Sequence, residues 1–233
     1  MSDSFWLQID CRLDQWRSRF WMRDCGSDDI WVSKLIAGGW KTVDAPMPLV
    51  LTKLCRALSP VYVELGDCDG FFSLLAATSG AELNFHLLCD PNCSALLAAN
   101  FEQSALASRL RCLNRSEQQA DLLKTANFYQ LLQGLANEKA VFLKINDHDA
   151  FAMLAEFNVC SALKRPFMTF KVFSKDRLLV WREYCETNAL QCFTLHASGL
   201  LEPGFPEQIV QEVQLLLVPV DFLATFTQAL QSS

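Results

Sequence analysis

The chain has 233 residues, 51% of them hydrophobic and 20% charged, with a formal net charge of −6. That balance supports a full core and excludes a disordered chain, and the length suits one domain with room for a small N-terminal appendage. The negative charge argues against nonspecific binding to nucleic acid or to anionic membranes, leaving open only a local basic patch.

No apolar run is long enough to span a bilayer, and MSDSFWLQIDCR lacks the basic-then-apolar order of a secretion signal. A cytoplasmic protein is therefore expected. Ten cysteines fit that setting as small buried hydrophobes, because no C-x-x-C occurs and no histidine stands at metal-ligand spacing from a cysteine pair. Neither a disulfide framework nor a metal site is expected.

In chain order, residues 1–27 carry Phe5, Trp6, Trp16, Phe20 and Trp21 with Arg12, Arg17, Arg19 and Arg23 between them. The spacing is read as an amphipathic helix that covers a neighbouring surface, as a lid or a homodimer contact. Ser27-Asp28-Asp29 caps a helix from Ile30 to Ala37, stopped by Gly38-Gly39. Pro46 and Pro48 open another from Leu49 to Leu58, ended by Pro60. Residues 1–59 are thus expected to form a helical N-terminal extension, and residues 60–233 an α/β domain.

That domain opens with a strand, Val61–Leu65, and a glycine turn, Gly66-Asp67-Cys68-Asp69-Gly70. A small apolar helix, Phe71–Thr78, follows, then a strand, Leu83–Cys89, that closes on Asp90. Glycines let the backbone turn sharply and approach a ligand, and the helix start offers unpaired N–H groups. An acid at the end of the next strand can accept both ribose hydroxyls of an adenosine. The unit reads as a nucleoside pocket, with a ligand-free strand-turn-helix as the plain alternative.

Beyond it come a helix Ser94–Glu102, a strand Arg109–Leu113, a helix Glu117–Leu132 and a strand Ala140–Ile145. A helix Ala150–Phe157 capped by Asp149, a strand Phe167–Phe173 and a helix Leu178–Thr187 continue the alternation. The last strands, Leu190–Leu195 and Val213–Val218, flank a Pro/Gly-rich connection without helical period, so they are expected to pair antiparallel. The result is a Rossmann-like α/β fold: a seven-stranded, mostly parallel sheet with a late antiparallel hairpin and helices on both faces.

The order and spacing resemble a class I S-adenosylmethionine-dependent methyltransferase, and specifically the FkbM family. Ile36-Ala37-Gly38-Gly39-Trp40 is similar to that family's lead-in helix ending in a glycine and an aromatic. Glu64-Leu65-Gly66-Asp67-Cys68-Asp69-Gly70, followed by Phe71-Phe72-Ser73-Leu74-Leu75, sits where the family has D-x-G-A-N-x-G, an aromatic and S-L-L. Asp90-Pro91 with Asn100 falls on its E-P and downstream Asn, and Leu143-Lys144-Ile145-Asn146-Asp147-His148-Asp149-Ala150 on its L-K-I-D-x-E-G-A. The chain departs from the pattern at Asp67, Cys68 and Asp69 in the loop, and at Asn146, His148 and Asp149 in the later motif.

The resemblance implies S-adenosylmethionine as cofactor, held by Glu64, Gly66, Asp67, Gly70 and Asp90. It implies a small-molecule acceptor, a hydroxyl on a sugar or secondary metabolite, while the net charge is the ground for expecting no nucleic-acid or membrane partner. His148 has a resting pKa suited to a general base for that hydroxyl, with Asp147 or Asp149 able to orient it and Asn146 beside it. The plain alternative makes Asn146 and Asp149 helix caps and His148 a solvated loop residue. Lys144 is expected to pair with a carboxylate, and His86 and His196 to be packed in strands. The clustered departures motivate a second reading, a methyltransferase-like domain without catalysis that serves as a binding scaffold.

Overall fold

The structure, a computed structural model, describes residues 6–23, 30–66, 69–89, 91–114, 134, 140–146, 163, 166–172, 175–196, 198, 201–207 and 212–231. The expected helices at 117–132 and 150–157 lie outside these residues.

Two strands open the chain, β1 (Trp6–Leu13) and β2 (Trp16–Arg23), paired antiparallel about a two-residue turn in which Asp14 has φ 52°. The helix expected here is therefore corrected to a β-hairpin. The sequence alternates along both strands: Ile9, Cys11, Phe20 and Met22 are buried, while Asp10, Arg12, Arg17, Arg19 and Arg23 are exposed. Period two with one covered face is the mark of a strand, and it overrides the helical spacing of the tryptophans.

Two helices follow, α1 (Ile30–Gly38) and α2 (Met47–Leu58). Alternation then builds β3 (Val61–Leu65), α3 (Phe71–Ser79), β4 (Asn84–Cys89), α4 (Pro91–Gln103), β5 (Leu110–Asn114), β6 (Val141–Ile145) and β7 (Pro166–Val172). The chain ends with α5 (Lys175–Thr187), β8 (Leu190–Leu195), β9 (Leu201–Pro203), β10 (Val213–Pro219) and α6 (Leu223–Gln231).

One sheet of eight strands carries the order β5-β4-β3-β6-β7-β10-β8-β9. Strands β3 to β8 run parallel, and β10 lies reversed between β7 and β8, so the expected late antiparallel pairing is present. The eighth strand is β9, three residues that pair antiparallel with β8 inside the connection read as a loop. Three residues are too short to show a period.

The strands β3 (VYVEL) and β6 (VFLKI) are buried at every position, as parallel strands covered on both faces must be. One apolar cluster joins the Tyr62, Phe142 and Phe167 face of the sheet to α2, α3, α4, α6 and the inner face of the hairpin. A second joins the Val63, Leu143 and Met168 face to α5, where Phe170 and Trp181 stack with ring centres 3.8 Å apart. Among the described residues, no helix is long and apolar enough to cross a membrane.

Candidate functional site

The carboxyl ends of β3 and β6 lie side by side where the chain reverses the direction in which it builds the sheet. From β3 the strands step outward through β4 to β5, and β6 returns on the other side of β3. Open α/β sheets leave a crevice beyond the strand ends at such a point.

Glu64 stands near the end of β3, in register with His86 on β4 and Lys144 on β6. Aligned positions on parallel strands share a face, so the three side chains project together, with Tyr62 two residues before. Ser73 in the first turn of α3 meets them from above. Glu64 is 1% exposed. Its Oε2 accepts hydrogen bonds from the Tyr62 hydroxyl at 3.0 Å and the Ser73 hydroxyl at 2.9 Å. Its Oε1 accepts from Lys144 Nζ at 3.0 Å and Asn146 Nδ2 at 2.8 Å. A carboxylate offers about four lone-pair sites, and here the protein fills all of them.

The donors are committed as fully. Ser73 has one hydroxyl proton and gives it to Glu64, so its Oγ accepts from the Nε2–H of the buried His86. Lys144 also donates to Asn146 Oδ1, and its ammonium lies 4.6 Å from the centre of the Phe72 ring. Burial alone would raise the Glu64 pKa. The charges of Lys144 and His86, with the hydrogen bonds from Asn146 and Lys144, outweigh it and hold the carboxyl at about 2.

The glycine turn rises from this buried base. Gly66 and Gly70 have φ of 89° and 88°, in the left-handed region that favours glycine. A Cβ on Gly70 would also stand 2.5 Å from Leu97 Cδ1, so the turn rests directly on α4. Asp69 Oδ1 accepts from the Phe71 N–H at 2.8 Å, which places a carboxylate on the first turn of α3. Asn100, wholly buried in α4, ties the turn to the hairpin: its Nδ2 donates to the Asp69 carbonyl at 3.3 Å, and its Oδ1 accepts from the Arg23 N–H at 2.9 Å.

Of the residues singled out in the sequence, Glu64, Gly66, Gly70 and Asn146 gather at the β3 and β6 ends. The Asn146 N–H donates to the Leu65 carbonyl at 2.9 Å, and the residue is exposed at the crevice rim. Asp67, Asp90, Asp147, His148 and Asp149 lie outside the described residues. Lys144 pairs with a carboxylate as expected, and His86 is packed and bonded. His196, expected to be packed, instead stands half-exposed with Nε2 2.8 Å from Glu202 Oε2, because β9 brings that acid across from β8. Tyr62, Ser73, His86 and Asn100 were not read as partners of one site. Period two along β3 and β4 would have put Tyr62, Glu64, and His86 on one face, but only after the strands had been paired in register.

These features define a methyltransferase-like α/β fold, a large mixed sheet with mostly parallel strands, a late antiparallel hairpin and helices around it. The chain is similar to the cofactor-bound protein Rv0187 from MTB, at 14% identity and a TM-score of 0.50, over 83% of this chain and 91% of that one. It is also similar to a SAM-dependent O-methyltransferase from Thermotoga maritima, at 10% identity and a TM-score of 0.50, over 91% of this chain and 77% of that one. At these identities the likeness is one of fold. No protein-family model and no curated protein matches the chain.

Proposed function

We propose that the chain is an S-adenosylmethionine-dependent methyltransferase, resembling the FkbM family, that O-methylates a hydroxyl on a sugar or small secondary metabolite. The observation that carries this reading is the buried Glu64 cluster under a turn with two left-handed glycines, placed at the sheet's switch point. Both neighbours with a methyltransferase-like fold support it, one solved with its cofactor and the other a SAM-dependent O-methyltransferase.

The residues fit the cofactor in the following division. Gly66, with φ 89° and no Cβ at the strand end, would let its backbone approach the cofactor closely. Glu64 spends its carboxylate inside the protein and so serves as a positioning residue: it fixes Lys144, Asn146 and, through Ser73, the first turn of α3. Asp90 would accept the ribose hydroxyls, and Asp67 would attract the ammonium. Asp69 is already bonded to the start of α3, which leaves that helix end poorly suited to a second carboxylate. When bound, S-adenosylmethionine supplies the electrophilic methyl group.

The acceptor's proton would pass to His148, held by Asp147, with the Asn146 amide at the rim beside it. Calorimetry with S-adenosylhomocysteine tests the reading. Binding with a 1:1 stoichiometry is expected, and no heat at millimolar ligand would overturn it.

A further inference from the structure

The hairpin gives one face to the core and turns the other to solvent. On the outer face stand Arg12, Arg17, Arg19 and Arg23, with Trp6 37% exposed and Trp21 half-buried. The strand register pairs Trp6 with Arg23, Asp10 with Arg19, and Arg12 with Arg17. Among the described residues of the two strands' outer face Asp10 is the one acid, bonded to Arg12 at 2.7 Å and 3.8 Å from Arg19, and its pKa is lowered chiefly by the Arg12 hydrogen bond. The exposed arginines make this described face basic on a chain whose net charge is −6.

We infer that this Arg/Trp face docks single-stranded RNA and leads it to the crevice. Guanidinium groups meet phosphates in a fork geometry, and indole faces stack on unpaired bases. An eight-residue strand spans about 26 Å, enough to track several nucleotides. The far end of β2 is fastened to the site, because Asn100 bonds both the Arg23 N–H and the carbonyl of Asp69 in the glycine turn. A strand lying along the ribbon towards Arg23 is thereby brought close to the glycine turn. The preference for RNA rests on the methyltransferase reading, since RNA offers a sugar hydroxyl at every nucleotide and DNA does not.

Other occupants fit less well. An anionic bilayer would need aliphatic side chains to bury, and the outer face has only the two indoles beside Gln8, Asp10 and the arginines. A second copy paired about a two-fold axis would set arginines against arginines. The early expectation of no nucleic-acid partner came from net charge, which says nothing about where the charges sit.

Fluorescence anisotropy of the full chain with a labelled single-stranded RNA of about ten nucleotides tests the inference. Binding is expected to weaken with salt, with a log–log slope of about −2 to −3 from three or four phosphate contacts. Arg17→Ala/Arg19→Ala should lower affinity at least tenfold and flatten the slope by about 1.4, with the thermal midpoint unchanged. S-adenosylhomocysteine calorimetry on the same variant should match the parent, since neither arginine touches the crevice. RNA binding without cofactor binding would uphold the docking face and sink the methyltransferase reading. Cofactor binding without RNA binding would sink the docking face alone. Full RNA affinity in the variant, preference for DNA of the same sequence, capture only by phosphatidylserine vesicles, or elution as a dimer through this face would each overturn it.

Discussion

Glu64 carries a full negative charge in a place where water does not reach, and four donors make that tolerable. Removing the charge and keeping the shape separates the two effects. In the folded protein the carboxyl sits at about 2, against an ordinary value of 4.5. A depressed acid adds stability above its unfolded pKa, and that stability drains away as the pH falls from about 4.5 towards 2. Two to three pKa units correspond to roughly 3 kcal/mol. Urea unfolding of Glu64→Gln at pH 6 should show a loss of about 3 kcal/mol, because Lys144 keeps its buried charge without a counter-ion. Between pH 4.5 and 2.5 the variant should lose less stability than the parent. Parallel acid limbs in the two proteins would mean that the cluster does not hold Glu64 ionised.

The elements meet at Asn100, which no period or motif made legible beyond its place in the FkbM resemblance. Its amide joins α4 to two other elements, and the Trp21 N–H and carbonyl are met in the same way by the Ser104 hydroxyl, at 2.9 Å and 3.3 Å. Asn100 of α4 and Ser104 just past its end thus close the open edge of β2, which would otherwise invite another strand. Asn100→Ala removes the Asn100 hydrogen bonds to the Arg23 N–H and the Asp69 carbonyl and should cost about 2 kcal/mol. Asn100→Asp keeps the acceptor for Arg23 and loses the donor to Asp69. It should recover part of the stability, yet weaken S-adenosylhomocysteine about tenfold, as the alanine variant does. Calorimetry and thermal melts on both variants read the split. Equal affinity in Asn100→Asp and the parent would show that the bond to the glycine turn does not support the pocket. The hairpin itself was hidden for a related reason: Trp16 and Trp21, five residues apart, fall on opposite faces of β2, so the tryptophans show no alternation, which is carried instead by Ile9, Cys11, Phe20 and Met22.

At the scale of the molecule, the central sheet was legible because its strands are buried on both faces and read as unbroken apolar runs between helices. The mostly parallel direction and the late antiparallel pairing were legible too, whereas the strand order, which sets the switch point, appears only in the structure. The closing of Tyr62, Ser73 and His86 around Glu64 was not legible, since it depends on register between strands far apart in sequence. The expected division at residue 59 meets an apolar cluster that extends from Ile9 to Ala229 and includes Leu51, Phe71, Phe101 and Phe142. Within it the hairpin buries Ile9, Cys11, Phe20 and Met22, with Phe20 packed on Phe71 at 5.9 Å between ring centres. At about 1.5–3 kcal/mol for each large apolar side chain, the hairpin contributes on the order of 6–10 kcal/mol of burial. The whole stability of a domain is about 5–15 kcal/mol. A chain lacking residues 1–23 should therefore lose its cooperative melt and its near-ultraviolet circular dichroism, and expose Phe71 and Phe101 to dye binding. If it instead melted cooperatively near the parent's midpoint and still bound S-adenosylhomocysteine, the hairpin would be a detachable arm, and the pocket would stand without the cover that Asn100 ties to it.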